Sequence, residues 1–298
     1  MYLKVLIVNE VRYTLRGKYQ LDCKEYLAAQ KWETGYTCVK CHNKTYQVRK
    51  DHSRTCNKCS HTESSGANTI FHKLKFGLRK AFHICFEMST STKSLSARYV
   101  AVRYDITERT ARLWMHKVRA AMKSSESYPL VDDVEVDEFV VGGHESGKVG
   151  RSYHTKKKKA VCAVEFSQTG KVKRMYIRKI DSYGAKDLRE IFEKHISTSA
   201  NVKTDKWRGY GPLMKDYNIT QELSTGGLAF KKLHTMIHQV KSWIRTTYSW
   251  VSTRHIQRYF DEFCYRINRS QSRETIFHNL IQRMVRAKKL YHAEIVCG

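Results

Sequence analysis

Apolar and polar residues alternate along 131–141 (VDDVEVDEFVV), the period-2 pattern of a strand with one buried face. Similar patterns predict further strands near 159–166, 172–179 and 201–205, whereas helical periods predict helices at about 184–197, 229–245, 252–268 and 272–290. The basic, glycine-containing segment 142–158 predicts a loop after the first strand. Three strands, a helix and a fourth strand in this order predict an α/β domain with an RNase H-like core, a mixed sheet with flanking helices.

The segment before this domain has a helical period from Ser94 to Met122. It predicts a helix, a short turn at Tyr104–Ile106 and a second helix capped by Thr107, which is a helix-turn-helix arrangement. Small and apolar residues of the second helix would pack inward: Ala111, Leu113 or Trp114, and Val118. Its polar residues are the candidates for DNA contact: Arg109, Thr110, Arg112 and Lys117. A domain boundary is expected at 124–130, where Pro129 separates helical from strand-like sequence.

The charge of the chain narrows its class of partner. Lys and Arg number 55 against 28 Asp and Glu, a formal net charge of +27 at pH 7. Such a field attracts polyanions, and no run of about 18 apolar residues could span a bilayer. The apolar start at Met1–Asn9 is too short for a signal peptide. We therefore expect a nucleic-acid partner, no membrane and a location in the bacterial cytoplasm, on the nucleoid.

Four of the nine cysteines form a metal-ligand pattern. Cys38, Cys41, Cys56 and Cys59 follow the spacing C-x2-C-x14-C-x2-C, which is typical of a four-thiolate zinc site. The sequence therefore predicts a zinc ribbon. Basic residues surround it and are candidates either for phosphate contact or for a solvated surface: Lys40, Lys44, Arg49, Lys50, Arg54 and Lys58.

Two aspartates occupy positions suited to phosphodiester chemistry. Asp137 lies in the first predicted strand of the core and Asp205 ends the fourth. Two-metal phosphoryl transfer needs carboxylates at the ends of neighbouring strands. Strand alternation puts Glu135 on the same face as Asp137, as a weaker candidate ligand, and sends Glu138 to the other face.

With these motifs in place, the chain resembles the DDE-type transposases of the IS1595 insertion-sequence family, also called ISXO2-like. The resemblance rests on the CxxC pairs, VEVDEFVVGG at 134–143, TDKWRGY at 204–210 and VSTRHIQRYFDEFCYRINR at 251–269. It implies an RNase H-like nuclease that uses a divalent metal, Mg²⁺ or Mn²⁺, and acts on double-stranded DNA, the element ends and the target, as a homodimer or higher oligomer.

The resemblance also implies a third metal-site residue. In the family it lies on a helix, seven residues before a Lys. Lys241 matches that Lys as a phosphate contact, which makes His234 the third residue, with His238 and Gln239 as alternatives. Seven residues are nearly two helical turns, so His234 and Lys241 share a face. A histidine in place of a carboxylate favours Mn²⁺ over Mg²⁺.

The sequence thus predicts three regions, a segment with the zinc ribbon at 1–65, a helix-turn-helix region at 66–125 and a catalytic domain with C-terminal helices at 130–298. The expected function is a transposase that binds the inverted repeats of its element, cleaves the 3′ ends and joins them to target DNA. The alternative is a DNA-binding regulator whose nuclease fold has lost activity, since the third residue is not Glu.

Overall fold

The structure is a computed structural model that describes residues 23–143, 145, 156–224 and 229–296. The apolar start at Met1–Asn9 and most of the predicted loop 142–158 lie outside the described residues. The chain divides into two compact units: residues up to Met122 together with those from Gln271 onward form the first, and Lys123–Ser270 form the second. None of the described helices is long and apolar enough to cross a membrane.

The first unit contains a small antiparallel sheet of order β1-β2-β3, formed by Tyr46–Val48, Arg54–Cys56 and Thr62–Glu63. Its strands are two or three residues long, too short to bury a core of their own. The Arg54 guanidinium lies over the rings of Trp32, 4.4 Å from the centroid, and of Tyr46, 4.1 Å away. Arg54 is therefore held in packing contacts rather than presented as a free cation.

The helical part of the first unit is assembled from both ends of the described chain. Its helices are α1 (Cys23–Lys31), α2 (Leu78–Thr90), α3 (Ala97–Tyr104), α4 (Glu108–Met122), α8 (Arg273–Arg286) and α9 (His292–Val296). Phe82 of α2 meets Tyr26 and Phe277 edge-on, with centroids 5.9 and 6.0 Å apart. The Tyr26 hydroxyl also lies 2.6 Å from His278 Nδ1. Helix α8 is thus a central part of this core.

Helices α3 and α4 form the hairpin that the sequence predicts between Ser94 and Met122. The Ser96 hydroxyl caps α3 by accepting from the Tyr99 N–H at 3.1 Å. Asp105 ends α3 in the left-handed conformation, φ 48° and ψ 64°, and Thr107 caps α4 by accepting from the Thr110 N–H at 3.2 Å. Because the two caps fix both helix starts, the turn between them is short and defined.

The second unit is built on a mixed five-stranded sheet of order β6-β5-β4-β7-β8. Its strands are β4 (Asp133–Val141), β5 (Lys158–Phe166), β6 (Val172–Ile180), β7 (Asn201–Asp205) and β8 (Asn218–Glu222). Strands β4, β5 and β6 pair antiparallel, whereas β7 pairs parallel with β4 and β8 parallel with β7. The strands predicted near 131–141, 159–166, 172–179 and 201–205 are confirmed; β8 was missed.

Helices cover both faces of this sheet. On one face, Phe139, Cys162 and Ile177 pack against α6 (Lys231–Arg245) and α7 (Ile256–Ile267). On the other, Val136 and Val161 pack against α5 (Ala185–His195) and a 3-10 helix, Arg208–Lys215. Because successive side chains alternate between faces, odd-numbered residues of β4 face α6 and even-numbered residues face α5.

Two amide side chains, Gln257 in α7 and Asn268 at its C-terminal cap, bind the backbone of the edge strand β6. Asn268 accepts from the Met175 N–H at 2.8 Å and donates to the Met175 carbonyl at 2.9 Å. Gln257 accepts from the Lys179 N–H at 2.8 Å and donates to the Ile177 carbonyl at 2.9 Å. These amides satisfy backbone groups that an edge strand would otherwise leave open. Two polar positions of the motif at 251–269 thereby acquire a structural role.

The domain limits differ from the sequence-based expectation at one end. We assigned 130–298 to one catalytic domain, but residues from Gln271 onward belong to the first unit. The reason is packing: α7 lies on the second unit's sheet, whereas α8 buries Ile276, Phe277, Leu280, Ile281 and Met284 in the helical core. An amphipathic period shows that a helix has a buried face but not which core receives it.

Removing the Asn268 amide should destabilise the second unit. In Asn268→Ala the N–H and carbonyl of Met175 lose their partner, and we expect the free energy of unfolding in urea to fall by about 1–3 kcal/mol. Ser270→Ala, two residues further along, should leave it within about 0.5 kcal/mol. Equal stabilities for the two variants would contradict the proposed role of the amide.

Candidate active site and zinc centre

The four cysteines of the CxxC pairs converge in the first unit. Their sulfur atoms all lie within 4.8 Å of one another, with Cys38 and Cys59 3.6 Å apart and Cys41 and Cys56 3.5 Å apart. Four thiolates at zinc–sulfur distances of about 2.3 Å would be about 3.8 Å apart in a tetrahedron. The cluster therefore fits a tetrahedral zinc ion.

The first cysteine of each pair sits on a turn whose backbone N–H groups point at its sulfur. Burial opposes ionisation of the Cys56 thiol, but N–H donors from Cys59 and Lys58 outweigh it and lower its pKa to about 6. The corresponding donors for Cys38 are Cys41 and Lys40, and its pKa is also lowered although burial opposes this. Thiolate is the form that binds metal, so each turn favours the metal-binding form of its first cysteine.

The second unit brings together the two aspartates predicted as metal-site residues. The parallel ladder between β4 and β7 runs from Asp133↔Asn201 to Val136↔Thr204, so Asp137 and Asp205 are the next residues on adjacent strands. Both follow the alternation that turns them toward α6. Together with Glu138 they form a group whose carboxylate oxygens lie within 4.8 Å of one another.

Glu138 corrects one sequence-based expectation. Alternation does assign its side chain to the α5 face, as predicted, yet its carboxylate joins the Asp137–Asp205 pair. The ladder between β4 and β7 ends at Val136↔Thr204, so beyond that point β4 and β7 are no longer paired with each other and a gap opens between them. A glutamate is long enough to reach around such an edge. The end of the β7 run at Asp205 was the signal in the sequence that we did not use.

The motif TDKWRGY (204–210) shapes the backbone around Asp205. Asp205 Oδ1 accepts from the Trp207 N–H at 3.0 Å, and the Trp207 indole N–H donates to the Tyr183 carbonyl at 2.8 Å. A Cβ on Gly209 would stand 2.6 Å from both the Tyr183 carbonyl oxygen and Trp207 Nε1, so glycine is required there. Tyr210 is fully buried, and burial together with the charge of Glu138 raises its pKa. Its hydroxyl therefore stays protonated.

His234 reaches the acidic group through Asp137. Its Nε2 lies 3.0 Å from Asp137 Oδ2, and the two side chains are 29% and 18% exposed. Burial raises the pKa of Asp137, the hydrogen bond with His234 opposes this, and the charge of Asp205 adds to it. His234 is not among the residues whose ligand atoms all lie within 4.8 Å of one another. Its contact is compatible with a shared ion or with holding Asp137 in place.

The other candidates on this face have distinct positions. The Lys241 ammonium lies 5.6 Å from the ring centroid of Phe139, and its pKa is lowered by burial, an effect that the charge of Asp137 opposes. The Glu135 carboxylate is half-buried near the start of α6: burial raises its pKa, and the nearby Leu233 N–H and the charge of Lys232 oppose that rise. His238 and Gln239 are exposed.

The four residues predicted to contact DNA differ in exposure: two are exposed and two are half-buried. Arg109 and Arg112 are exposed on the first turns of α4, and Arg112 pairs with Glu108 at 2.6 Å. Thr110 is half-buried beside its cap. Lys117 differs from the expectation of a groove-facing residue: it is half-buried, burial lowers its pKa, and its nearby charges include Glu294 of α9. Lys117 lies in the third turn of α4, which packs against α9, and this contact explains its position.

The zinc centre can be tested by metal analysis. We expect about one zinc per purified chain and a nearly complete loss in Cys56→Ser, because three thiolates and a hydroxyl form a much weaker site. Cys23→Ser, which changes a cysteine outside the cluster, should keep the metal. Full zinc occupancy in Cys56→Ser would show that the four sulfurs are not its ligands.

Comparisons with known proteins bear on the second unit. A search of curated proteins gives no match. Among solved structures, a crystal structure of a pre-cleavage Mos1 transpososome matches at 9% identity, covering 67% of this chain and 76% of that chain, with a TM-score of 0.21. A score this low does not establish a shared fold. Residues 129–268 match the ISXO2-like transposase domain, a match that spans Asp137, Asp205 and His234. These residues therefore form a domain of the ISXO2-like transposase family.

Proposed function

We propose that the chain is a DDE-type DNA transposase with an RNase H-like catalytic domain. It binds the inverted repeats of its insertion sequence, hydrolyses a phosphodiester at each 3′ end and joins the freed 3′ hydroxyl to target DNA. The observation that carries the proposal is the meeting of Asp137, Glu138 and Asp205 within 4.8 Å at the edge where β4 and β7 run parallel, within a domain of this family. When the five strands of this sheet are numbered in chain order, the order β6-β5-β4-β7-β8 reads 3-2-1-4-5, and this order supports the RNase H-like assignment.

The three carboxylates suit divalent cations with oxygen-rich coordination. Mg²⁺ and Mn²⁺ prefer carboxylate and water oxygens, and a third carboxylate supplies the charge that His234 does not. When bound, such an ion offsets the carboxylate charges and stabilises negative charge on the phosphate that is transferred. The presence of Glu138 also weighs against the alternative of an inactive nuclease, which rested on the missing glutamate.

The side chains around the carboxylates have separate tasks. His234 contacts Asp137 at 3.0 Å and, we propose, acts as the third metal-site residue. Lys241 lies on the same face of α6 and contacts a phosphate oxygen. Leu233 is buried in the core between the sheet and α6, which sets the position of His234 one residue later.

The proposed reaction conserves phosphodiester bonds in its second step. In the first, a water oxygen bonds to phosphorus and the bond to the 3′ oxygen breaks, leaving a 3′ hydroxyl and a 5′ phosphate. In the second, that 3′ hydroxyl oxygen attacks a target phosphorus, and the target's own 3′ oxygen leaves with a proton. One bond forms as one breaks, so the joining step needs no external energy source.

Recognition of the element ends is proposed for the first unit. The N-terminal residues of a recognition helix contact base edges in a helix-turn-helix, and on α4 these are Arg109 and Arg112. The exposed basic residues around the zinc centre add contacts to phosphates. We further propose that cleavage at two ends requires a dimer or larger assembly on DNA.

Substitutions at the acidic site should abolish chemistry but not binding. We expect Asp137→Asn and Asp205→Asn to lower cleavage of end-bearing DNA by at least about a thousandfold, because each removes a ligand charge. Glu138→Gln, which keeps the shape of the side chain, should lower it by about 10- to 100-fold. Binding of the same DNA should change by less than about threefold.

His234 and His238 form a matched pair on the same helix. His234→Ala should lower cleavage strongly, whereas His238→Ala should resemble the parent protein, because His238 is exposed and one turn away. His234→Glu should shift the preferred ion from Mn²⁺ toward Mg²⁺. Cleavage assays in each ion decide the assignment, and a defect confined to His238→Ala would move the role to that residue.

Binding of the ends can be tested in the full-length chain, since α8 completes the first unit. The double variant Arg109→Ala and Arg112→Ala should weaken binding to end DNA by about 10- to 100-fold and to unrelated DNA much less. A control with the same loss of charge, Arg286→Ala and Lys288→Ala, alters exposed residues elsewhere in the unit. If both double variants weaken binding to both DNAs equally, α4 does not read the ends.

A further inference from the structure

A tryptophan stands in solvent on the second unit. Trp250, in the connection between α6 and α7, is 74% exposed, whereas Trp243, which lies within α6, is 8% exposed. Tryptophan carries the largest apolar side-chain surface, and leaving it in water forgoes a large gain from burial. A single exposed apolar side chain is not by itself a site. Three further observations indicate that Trp250 binds a partner: its backbone is anchored, a cation lies beside it, and it belongs to the unit that carries the acidic site.

The connection that carries Trp250 is anchored on both sides. Tyr248 packs edge-on against Trp243 and Tyr259, with centroids 6.1 and 4.7 Å apart. Val251 is buried, 7% exposed, in the core between the sheet and helices α6 and α7. The residues on both sides of Trp250 therefore hold the backbone, and the indole is presented outward from a fixed position.

A lysine accompanies the exposed ring. The Lys158 ammonium lies 5.7 Å from the Trp250 ring centroid. An exposed ring beside a cation is suited to a flat, apolar and negatively charged partner. Nucleobases offer π faces that stack on aromatic side chains, and the phosphates beside them meet the lysine.

The distance between Lys158 and the acidic site indicates where on the DNA the partner of Trp250 would lie. Lys158 is four residues along β5 from Cys162, the residue that pairs with Asp137, a distance of about 13 Å along the strand. Alternation places Lys158 on the α6 face, the same face as Asp137. Along the axis of a stacked duplex about 13 Å spans roughly four base steps, and an unstacked strand covers the same distance in fewer, so the pair lies within a few nucleotides of the acidic site.

Basic side chains lie between the acidic site and Trp250. Lys241 of α6 is close enough to Asp137, Arg245 and Lys157 for their charges to affect its pKa. Arg245 ends α6 on the side of the connection that carries Trp250. Basic side chains therefore extend from the carboxylates toward the exposed indole, which is the arrangement that follows a phosphate backbone.

We propose that Trp250, with Lys158 beside it, stacks on an unpaired nucleobase of the DNA strand, within a few nucleotides of the phosphate at the acidic site. This inference rests on the proposed function, because it assumes that DNA lies across the carboxylates. It adds a residue that binds DNA without reading its sequence, since every base offers a π face. An indole can take a base in this way only when the base has left its own stack, so the platform favours unpaired DNA.

A binding comparison tests the stacking. Full-length protein is titrated with end-bearing duplexes that are either fully paired or forked over the terminal four base pairs. We expect Trp250→Ala to bind the forked DNA about tenfold more weakly than the parent protein does, and the paired DNA nearly as well. Trp250→Phe, which keeps a stacking ring, should recover most of the difference.

Tyr128 provides a matched control. It is 61% exposed and has the Arg174 guanidinium 5.1 Å from its ring centroid, so it is a comparable aromatic and cation pair ahead of β4, at the opposite end from Lys158. Tyr128→Ala should bind forked DNA like the parent protein. Equal losses for Trp250→Ala and Tyr128→Ala, or no loss for Trp250→Ala, would overturn the proposal.

Quenching of tryptophan fluorescence by acrylamide gives a readout that does not depend on affinity. The part of the quenching lost in Trp250→Phe reports this residue, and forked DNA at saturation should remove most of it. If Trp250 remains open to acrylamide in the complex, the stacking is absent. Failure of the parent protein to bind or cleave end DNA would instead contradict the proposed function, so the two failures are distinguishable.

Discussion

The parallel pairing of β4 with β7 is the constraint on which the acidic site depends. Parallel strands end at the same edge of a sheet, and here the ladder closes at Val136↔Thr204, one residue before each aspartate. The register therefore sets both the side-by-side position of Asp137 and Asp205 and the open edge around which Glu138 reaches. A slip of one residue would turn either aspartate to the opposite face, where α5 and the 3-10 helix pack.

The rest of the second unit keeps this register in place. Strand β5 is buried along nearly its whole length and β4 is central, so the sheet cannot shift without opening two apolar faces. The amides of Gln257 and Asn268 bind the backbone of the β6 edge. The same strands and helices therefore carry both residues that hold the sheet together and residues of the acidic site. Residues of one sequence motif can for this reason have different roles.

The two units are stabilised by different interactions. The second unit buries apolar residues on both faces of its sheet. The ribbon in the first unit has strands of two or three residues, and we propose that the ligand cluster closes its loops instead. The helical part of the first unit combines α1 with α8, whose Tyr26 and Phe277 both pack on Phe82, so removing either helix would open its core.

The sequence by itself determined the elements and the chemistry that local patterns record. Alternation located β4 and its faces, CxxC spacing located the four sulfurs, and motif resemblance singled out Asp137, Asp205 and the helix that brings His234 to Asp137 as candidates for a metal site. Only the tertiary structure decided which core α8 joins, that Lys117 is covered by α9, that Arg54 stacks on aromatic rings and that Glu138 joins the carboxylates. Each of these depends on where strands end and which surfaces meet, and such long-range contacts leave no periodic signal in the sequence.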